Sequence, residues 1–319
     1  MAWQHPSCTH KATDGSQPGE SVTPQATAHP TAPINGALGP STAQRLALYI
    51  PAAAQLAVQA AQQALGEACC SPAEVTHLIT ASCTGFYSPG VDIQLLRQLG
   101  LRTQVQRLHV GYMGCHAAVN ALRAAQGFLA CAPEGCVLLC CVELCSVHWQ
   151  LTSQPEKWLG NVLFADGAAA LVLRRAAGEF WKLADSASYL LPETEHLMAW
   201  MIGDHGFEMY LAPQLPGLLR RTVGSWVADW LQRHRLTLED IASWAVHPGG
   251  PKILQAVAAS LGLAAEQLQA SWQVLANYGN MSSPTILFVL NELRRAQAPR
   301  PCVALAFGPG LSLEAALFV

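Results

Sequence analysis

VQRLHVGYMGCHAAVNALRAAQGFLACAPEGCVLLCCVEL, residues 105–144, reads as strand, helix and strand, and it decides the class of fold. The apolar run ends at Tyr112, Gly114 breaks it, and a sustained helical pattern begins at Cys115. CVLLCCVEL has the length and composition of a buried strand. Strands separated by a helix imply a right-handed crossover, and such units build mostly parallel sheets covered on both faces. Outward from this unit, helices are expected over Ala43–Leu65, VDIQLLRQLG (91–100) and PKILQAVAASLG (251–262). Strands are expected in THLITASC (76–83), FADGAAALVLRR (164–175), SWAVHPGG (243–250) and PCVALAFGPGLSLEAALFV (301–319). WQVLANYGNMSSPTILFVLNELRRA (272–296) reads as a short strand followed by a helix.

The order of elements repeats. His247 lies 164 residues after Cys83, Asn280 165 after Cys115, and Cys302 166 after Cys136, so the spacing suggests an internal duplication without visible sequence identity. In two packed halves, equivalent elements lie near a pseudo-two-fold axis. Cys115, Asn280 and His247 are then expected to converge on one site.

The chain is 51% hydrophobic and 12% charged, which suits a large core and a surface partly hidden in an oligomer. A net charge of −3, with 18 basic residues in no long run, argues against a nucleic-acid partner. No apolar stretch reaches the roughly 18 to 20 residues of a membrane span, the longest candidates being broken by Glu143, Asp166 or Glu292. Residues 1–40 are rich in Pro, Thr, Gly, Ser and Ala and read as a disordered leader; they lack the basic start and apolar core of a secretion signal. The 11 cysteines, an odd number with Cys136, Cys140, Cys141 and Cys145 in one strand-like run, point to reduced thiols and a cytoplasmic setting. That run lacks a histidine pair to complete a metal ligand set.

A thiol at a helix start meets free backbone N–H groups and the positive end of the macrodipole, both of which favour its thiolate. Taken singly, His247 in AVHPGGPKIL reads as a capped strand end, and Asn280 in NYGNMSSPTI as a helix N-cap. Taken together, Cys115, His247 and Asn280 suit acyl transfer through a thioester. A Cys–His⁺ pair holds the thiolate, and His and Asn donate to the carbonyl of a second thioester as its malonyl group loses CO₂. This chemistry calls for no metal or redox cofactor.

GCHAAVNALR, LFADGAAALVL, WAVHPGGPKIL, YGNMSSPTILFVL and FGPGLSLEAALF resemble the type III polyketide synthases of the chalcone and stilbene synthase family, from about Ser41 to Val319. The resemblance implies a thiolase-like fold: an α/β duplicated five-layer αβαβα arrangement with two mixed, mostly parallel sheets. A first half over 41–175 would carry the nucleophile, and a second over 176–319 the His and Asn. It also implies a cytoplasmic homodimer that condenses malonyl-CoA onto an acyl-CoA starter held on Cys115, with no cofactor, and releases a pyrone, resorcinol or chalcone-like product. By the same resemblance Phe164 and Met209 are gatekeepers, Met209 standing where the family usually has Phe. Cys83, Thr84, Cys145, His148, Ser282 and the loop Gly308, Pro309 and Gly310 shape the pocket, and Ser88 reaches across the dimer interface.

Relatives usually open with a further strand and helix and a basic segment that binds the CoA phosphates. Here the leader stands in that place, which leaves Lys252 and the turn at Gly249 and Gly250 as phosphate-binding candidates and predicts a missing core strand. Ala306 replaces a glycine common before FGPG, where one methyl in a tight loop is expected to alter the floor of the cavity. Two alternatives stay open at this point: a ketoacyl synthase III-like enzyme using acyl carrier protein, and a truncated inactive paralogue acting as a dimerisation partner.

Overall fold

A computed structural model describes residues 2–3, 39–149, 160–175 and 181–319. Helix α1 (Thr42–Glu67) starts at a reciprocal cap: Gln44 N donates to Ser41 Oγ at 3.3 Å and Ser41 N to Gln44 Oε1 at 2.8 Å. Its buried residues Tyr49, Ala53, Ala57, Ala61 and Leu65 recur every four positions, so one small-residue face lies flat against the first sheet.

That sheet contains β2 (His77–Ser82), β3 (Gln106–Gly111), β4 (Cys136–Leu144) and β5 (Asp166–Arg174), in the order β3-β2-β4-β5. β2 is parallel to β3 and β4, and β5 runs antiparallel to β4. Helix α2 (Val91–Leu99) ends on Gly100 in the left-handed conformation (φ 68°) and packs with α1 on the outer face. Helix α3 (Ala117–Cys131) packs on the inner face.

The second half contributes β6 (Trp181–Leu190), the hairpin β7 (Met198–Gly203) and β8 (Gly206–Leu211), and α4 (Leu215–Gln232). There follow β9 (Ser243–Val246), α5 (Pro251–Leu261), α6 (Gln269–Tyr278), α7 (Thr285–Arg295), β10 (Cys302–Gly308) and β11 (Ser312–Phe318). The sheet order is β6-β11-β10-β9, with β10 parallel to β9 and antiparallel to β11.

Three apolar clusters separate the five layers. One joins α1 and α2 to the first sheet, one wraps α3 and α7 between the two sheets, and one joins α4 and α5 to the second sheet. The sequence offsets have a structural meaning: Cys83 and His247 each directly follow a parallel strand, β2 and β9, and Cys136 and Cys302 each open the strand beside it.

Four expectations need correction. The leader is not wholly without structure, because Ala2 and Trp3 form a strand, β1, pairing antiparallel with both β5 and β6 at the seam between the halves, so that the two half-sheets run on as one nine-stranded sheet, β3-β2-β4-β5-β1-β6-β11-β10-β9. Two residues are too short to show any periodicity, and residues 4–38 lie outside the described part. Gln269–Tyr278 is a helix rather than a strand, with Ser271 and Val274 turned inward at helical spacing. Ala306 lies inside β10, opposite Glu314, rather than in the following loop. Among the described residues nine cysteines are free, including the four of the Cys136–Cys145 run, but Cys69 is disulfide-bonded.

Candidate active site

Gly114, Cys115 and His116 form a single tight turn between β3 and α3. Gly114 has φ 62°, and a Cβ there would stand 2.8 Å from Pro309 Cδ, so glycine allows the nucleophile turn to sit directly on the β10–β11 loop. His247 leaves β9 with its backbone N–H donating to Leu305 O at 2.8 Å. Asn280 is no helix cap, since Pro284 occupies that position of α7. Instead its Oδ1 accepts from Ser282 N at 2.8 Å, and its backbone pairs with the other half through Asn280 N to Leu163 O (2.9 Å) and Ala165 N to Asn280 O (2.8 Å).

Cys115, His247 and Asn280 line one cavity of ≈590 Å³. The walls include Cys83, Thr84, Cys145, Phe164, Met209, Ser282 and Pro309, and Gly249, Gly250 and Lys252 join them at the first turn of α5. Phe164 and Met209 also border a smaller neighbouring cavity, so they stand between the two spaces. His148 belongs to that smaller cavity, with its ring held by Thr84 O (2.6 Å) and Phe207 N (3.1 Å) and stacked on Phe207. Gly308 packs behind the nucleophile turn against His116 and does not line the main cavity, and Ser88 is exposed.

The electrostatics differ from the expected thiolate–imidazolium pair. Burial, the largest influence, pushes the Cys115 thiol up to about 11, against hydrogen bonds with Ser282 and Asn280 that favour the thiolate. The Glu143 charge pushes the same way as burial. His247 is pulled down to about 3 by burial and by the neighbouring His116. Burial therefore holds both the thiol and the imidazole neutral. Neither ring nitrogen of His247 has a hydrogen-bond partner although both are buried. An imidazole so placed has both nitrogens open to a substrate carbonyl or to the Cys115 thiol.

Two residues at the site go unrecognised in the sequence. Glu143 marked only a break in an apolar run, yet its fully buried carboxylate accepts from Cys83 N (3.0 Å), Thr84 N (3.1 Å), Thr84 Oγ1 (2.7 Å), Ser82 Oγ (3.2 Å) and Ser283 Oγ (2.6 Å). It ties the end of β2 to the second half just behind the cavity wall. Trp200, on β7, lines both cavities and donates from Nε1 to Cys83 O at 2.7 Å. A charged residue inside a strand of apolar residues was the available clue to Glu143; nothing local pointed to Trp200.

The layered fold and the Cys, His and Asn gathered from both halves define a thiolase-fold condensing enzyme acting on acyl thioesters. The chain belongs to the chalcone and stilbene synthase family: residues 27–176 match its N-terminal domain and residues 182–319 its C-terminal domain. It is 37% identical over 286 residues to the alpha-pyrone synthesis polyketide synthase-like Pks18 of Mycobacterium tuberculosis, covering 86% of this chain and 72% of that protein. The 1,3,6,8-tetrahydroxynaphthalene synthase of Streptomyces peucetius is 35% identical over 281 residues, 85% of this chain and 74% of the relative. The crystal structure of PKS-I from the brown alga Ectocarpus siliculosus superposes with a TM-score of 0.87 at 31% identity, over 90% of this chain and 79% of that one. The protein is a polyketide synthase of the type III class, an acyltransferase using CoA thioesters.

Proposed function

We propose that Cys115 carries the starter acyl group and the growing chain, and that His247 and Asn280 hold the carbonyl oxygen of malonyl-CoA during decarboxylation. The observation that carries this reading is the convergence of the three residues on one cavity, with both His247 nitrogens lacking partners. His247 takes the Cys115 proton as sulfur attacks the starter thioester, and CoA leaves. Malonyl-CoA then loses CO₂, and the enolate formed attacks the acyl-Cys115 carbonyl, extending the chain by one carbon–carbon bond and freeing the thiol. Hydrogen-bond donors fixed where the oxyanion develops lower this barrier, because they are already oriented and need no reorganisation.

Lys252, Gly249 and Gly250 sit where α5 begins and support binding of the CoA phosphates, since a helix N-terminus with an adjacent lysine favours anions. A cyclised product is the reading for release, and a pyrone agrees with the name of the mycobacterial relative. A cytoplasmic homodimer is proposed as well. Its support is the cluster of exposed Phe86, Tyr112 and Met113 beside Ser88 and the nucleophile turn, where lone monomers rarely display large apolar side chains.

The test is incorporation of labelled malonyl-CoA by the wild type and Cys115→Ala, with malonyl-CoA and its carrier-protein form compared as extenders. Loss of all condensation in Cys115→Ala and preference for the CoA ester are expected. Persisting condensation would overturn the assignment.

A further inference from the structure

His116 directly follows the nucleophile, is buried, and has no part in the condensation outlined above. A chain of hydrogen bonds that crosses between the halves holds its ring. Nδ1 meets Asn120 Oδ1 at 2.6 Å, Asn120 Nδ2 donates to Glu314 Oε1 at 3.1 Å, and Ser188 Oγ donates to the same oxygen at 2.7 Å. The other Glu314 oxygen binds the guanidinium of Arg123, whose Nε donates to Ser186 Oγ at 2.9 Å.

This order fixes the protons. A carboxylate only accepts, so Asn120 turns its amide nitrogen to Glu314 and its oxygen to His116. Nδ1 therefore carries the hydrogen, and Nε2 of the neutral ring keeps a bare lone pair. That Nε2 is buried without a hydrogen-bond partner. It lies against Gly308, where a Cβ would stand 2.9 Å from Nε2 and 2.4 Å from ring Cδ2, so only glycine leaves room for the ring.

Two imidazoles, each with an unpartnered buried nitrogen, thus lie within electrostatic reach of one another. While His116 is neutral, His247 is free to take up the Cys115 proton. A proton on His116 Nε2 would set a positive charge beside a ring that must itself become positive, and like charges oppose that step.

We propose that His116 is a positioning residue of the condensing site whose charge state, governed through Asn120 and Glu314, decides whether His247 can accept the proton of Cys115. The proposal rests on the roles given above to Cys115 and His247. In the step concerned the S–H bond of Cys115 breaks and an N–H bond forms on His247; the proton that blocks it reaches His116 from solvent. The groups facing His116 are Asn120 and Arg123 from α3, Glu314 from β11 with Ser186 and Ser188 of β6 behind it, His247 after β9, and Cys115 beside it. Burial and Arg123 oppose protonation of His116, while Asn120 and Glu314 favour it.

Alkylation of Cys115 by iodoacetamide, followed by peptide mass spectrometry of the full-length protein across the acid range, tests this in the wild type and His116→Asn. The variant keeps an amide donor for Asn120 and cannot gain a proton. The Cys115 rate near neutral pH is expected to stay within about threefold of wild type, while the acid limb of its profile moves down by on the order of one pH unit. Overlapping profiles, or a limb moved upward, overturn the proposal. Histidine-ring NMR of the wild type adds a measurement that needs no active variant, with the His116 signal assigned by its loss in His116→Asn or His116→Phe. The His116 midpoint must coincide with the acid limb, and a mismatch overturns the proposal. If Cys115→Ala still condenses malonyl-CoA, the catalytic assignment falls and the proposal with it. If Cys115→Ala is inactive and the two alkylation profiles coincide, the proposal alone falls.

Discussion

Replacing Glu143 by leucine and by glutamine separates what its carboxylate does for the fold from what its charge does to Cys115. The side chain is fully buried and accepts from two backbone N–H groups, Cys83 and Thr84, and from the hydroxyls of Ser82, Thr84 and Ser283. Leucine accepts nothing. The three hydroxyls can rotate, but the two backbone N–H groups cannot, and each buried donor without a partner costs about 1–3 kcal/mol. Glu143→Leu is therefore expected to lose about 2–6 kcal/mol, a large part of the ~5–15 kcal/mol that holds a typical domain folded.

Glutamine keeps one oxygen for the two backbone donors, and Ser283 can turn to accept from its amide. Its cost should be within about 1.5 kcal/mol. Burial raises the Glu143 carboxyl above its ordinary 4.5, so the native state binds the extra proton. That contribution is full below the unfolded value and is lost as pH climbs through the raised one, so the wild type loses stability over this window and Glu143→Gln loses none of it. The charge on Glu143 also pushes the Cys115 thiol up, and Glu143→Gln should alkylate faster at Cys115 than the wild type once the wild-type carboxyl is ionised. Urea denaturation at several pH values and iodoacetamide kinetics measure the two effects. Glu143→Leu within about 0.5 kcal/mol of wild type would refute the hydrogen-bond account, since that is the range of surface substitutions away from any special feature.

Three further outcomes are expected. Gly308→Ala places a methyl group into the His116 ring and 2.9 Å from Met113 O; it should cost about 1–3 kcal/mol in thermal denaturation and slow Cys115 alkylation by displacing the nucleophile turn. Trp200→Ala joins the main cavity to its smaller neighbour and frees Cys83 O, and mass spectrometry of products from a starter panel should show a shift toward bulkier acyl groups. Lys252→Ala should raise the KM for malonyl-CoA about tenfold with little change in kcat, the loss of one charge-assisted contact.

Much of the fold was legible along the chain because burial writes a local pattern. The parallel strands β2, β4 and β9 are apolar at every position but a few, and the small-residue face of α1 recurs at helical spacing. Where the pattern was short or ambiguous the reading failed. Ala2 and Trp3 gain their strand only from two partners distant in sequence, and Gln269–Tyr278 has too few buried positions to separate helix from strand without its packing.

At the site, the sequence by itself determined the residue types and their matched spacing: Cys115, His247 and Asn280 at corresponding points of two halves, with glycines where the chain must turn closely. Only the tertiary structure decided their chemical state. Desolvation depends on how many atoms surround a group in space, so the helix-start argument for a Cys115 thiolate is outweighed by burial that holds both thiol and imidazole neutral. The same holds for Glu143, Trp200 and His116. Each acts through a partner in the other half, 117 to 198 residues away: Ser283 for Glu143, Cys83 for Trp200 and, by way of Asn120, Glu314 for His116. No local pattern encodes a contact that forms only when the two halves pack.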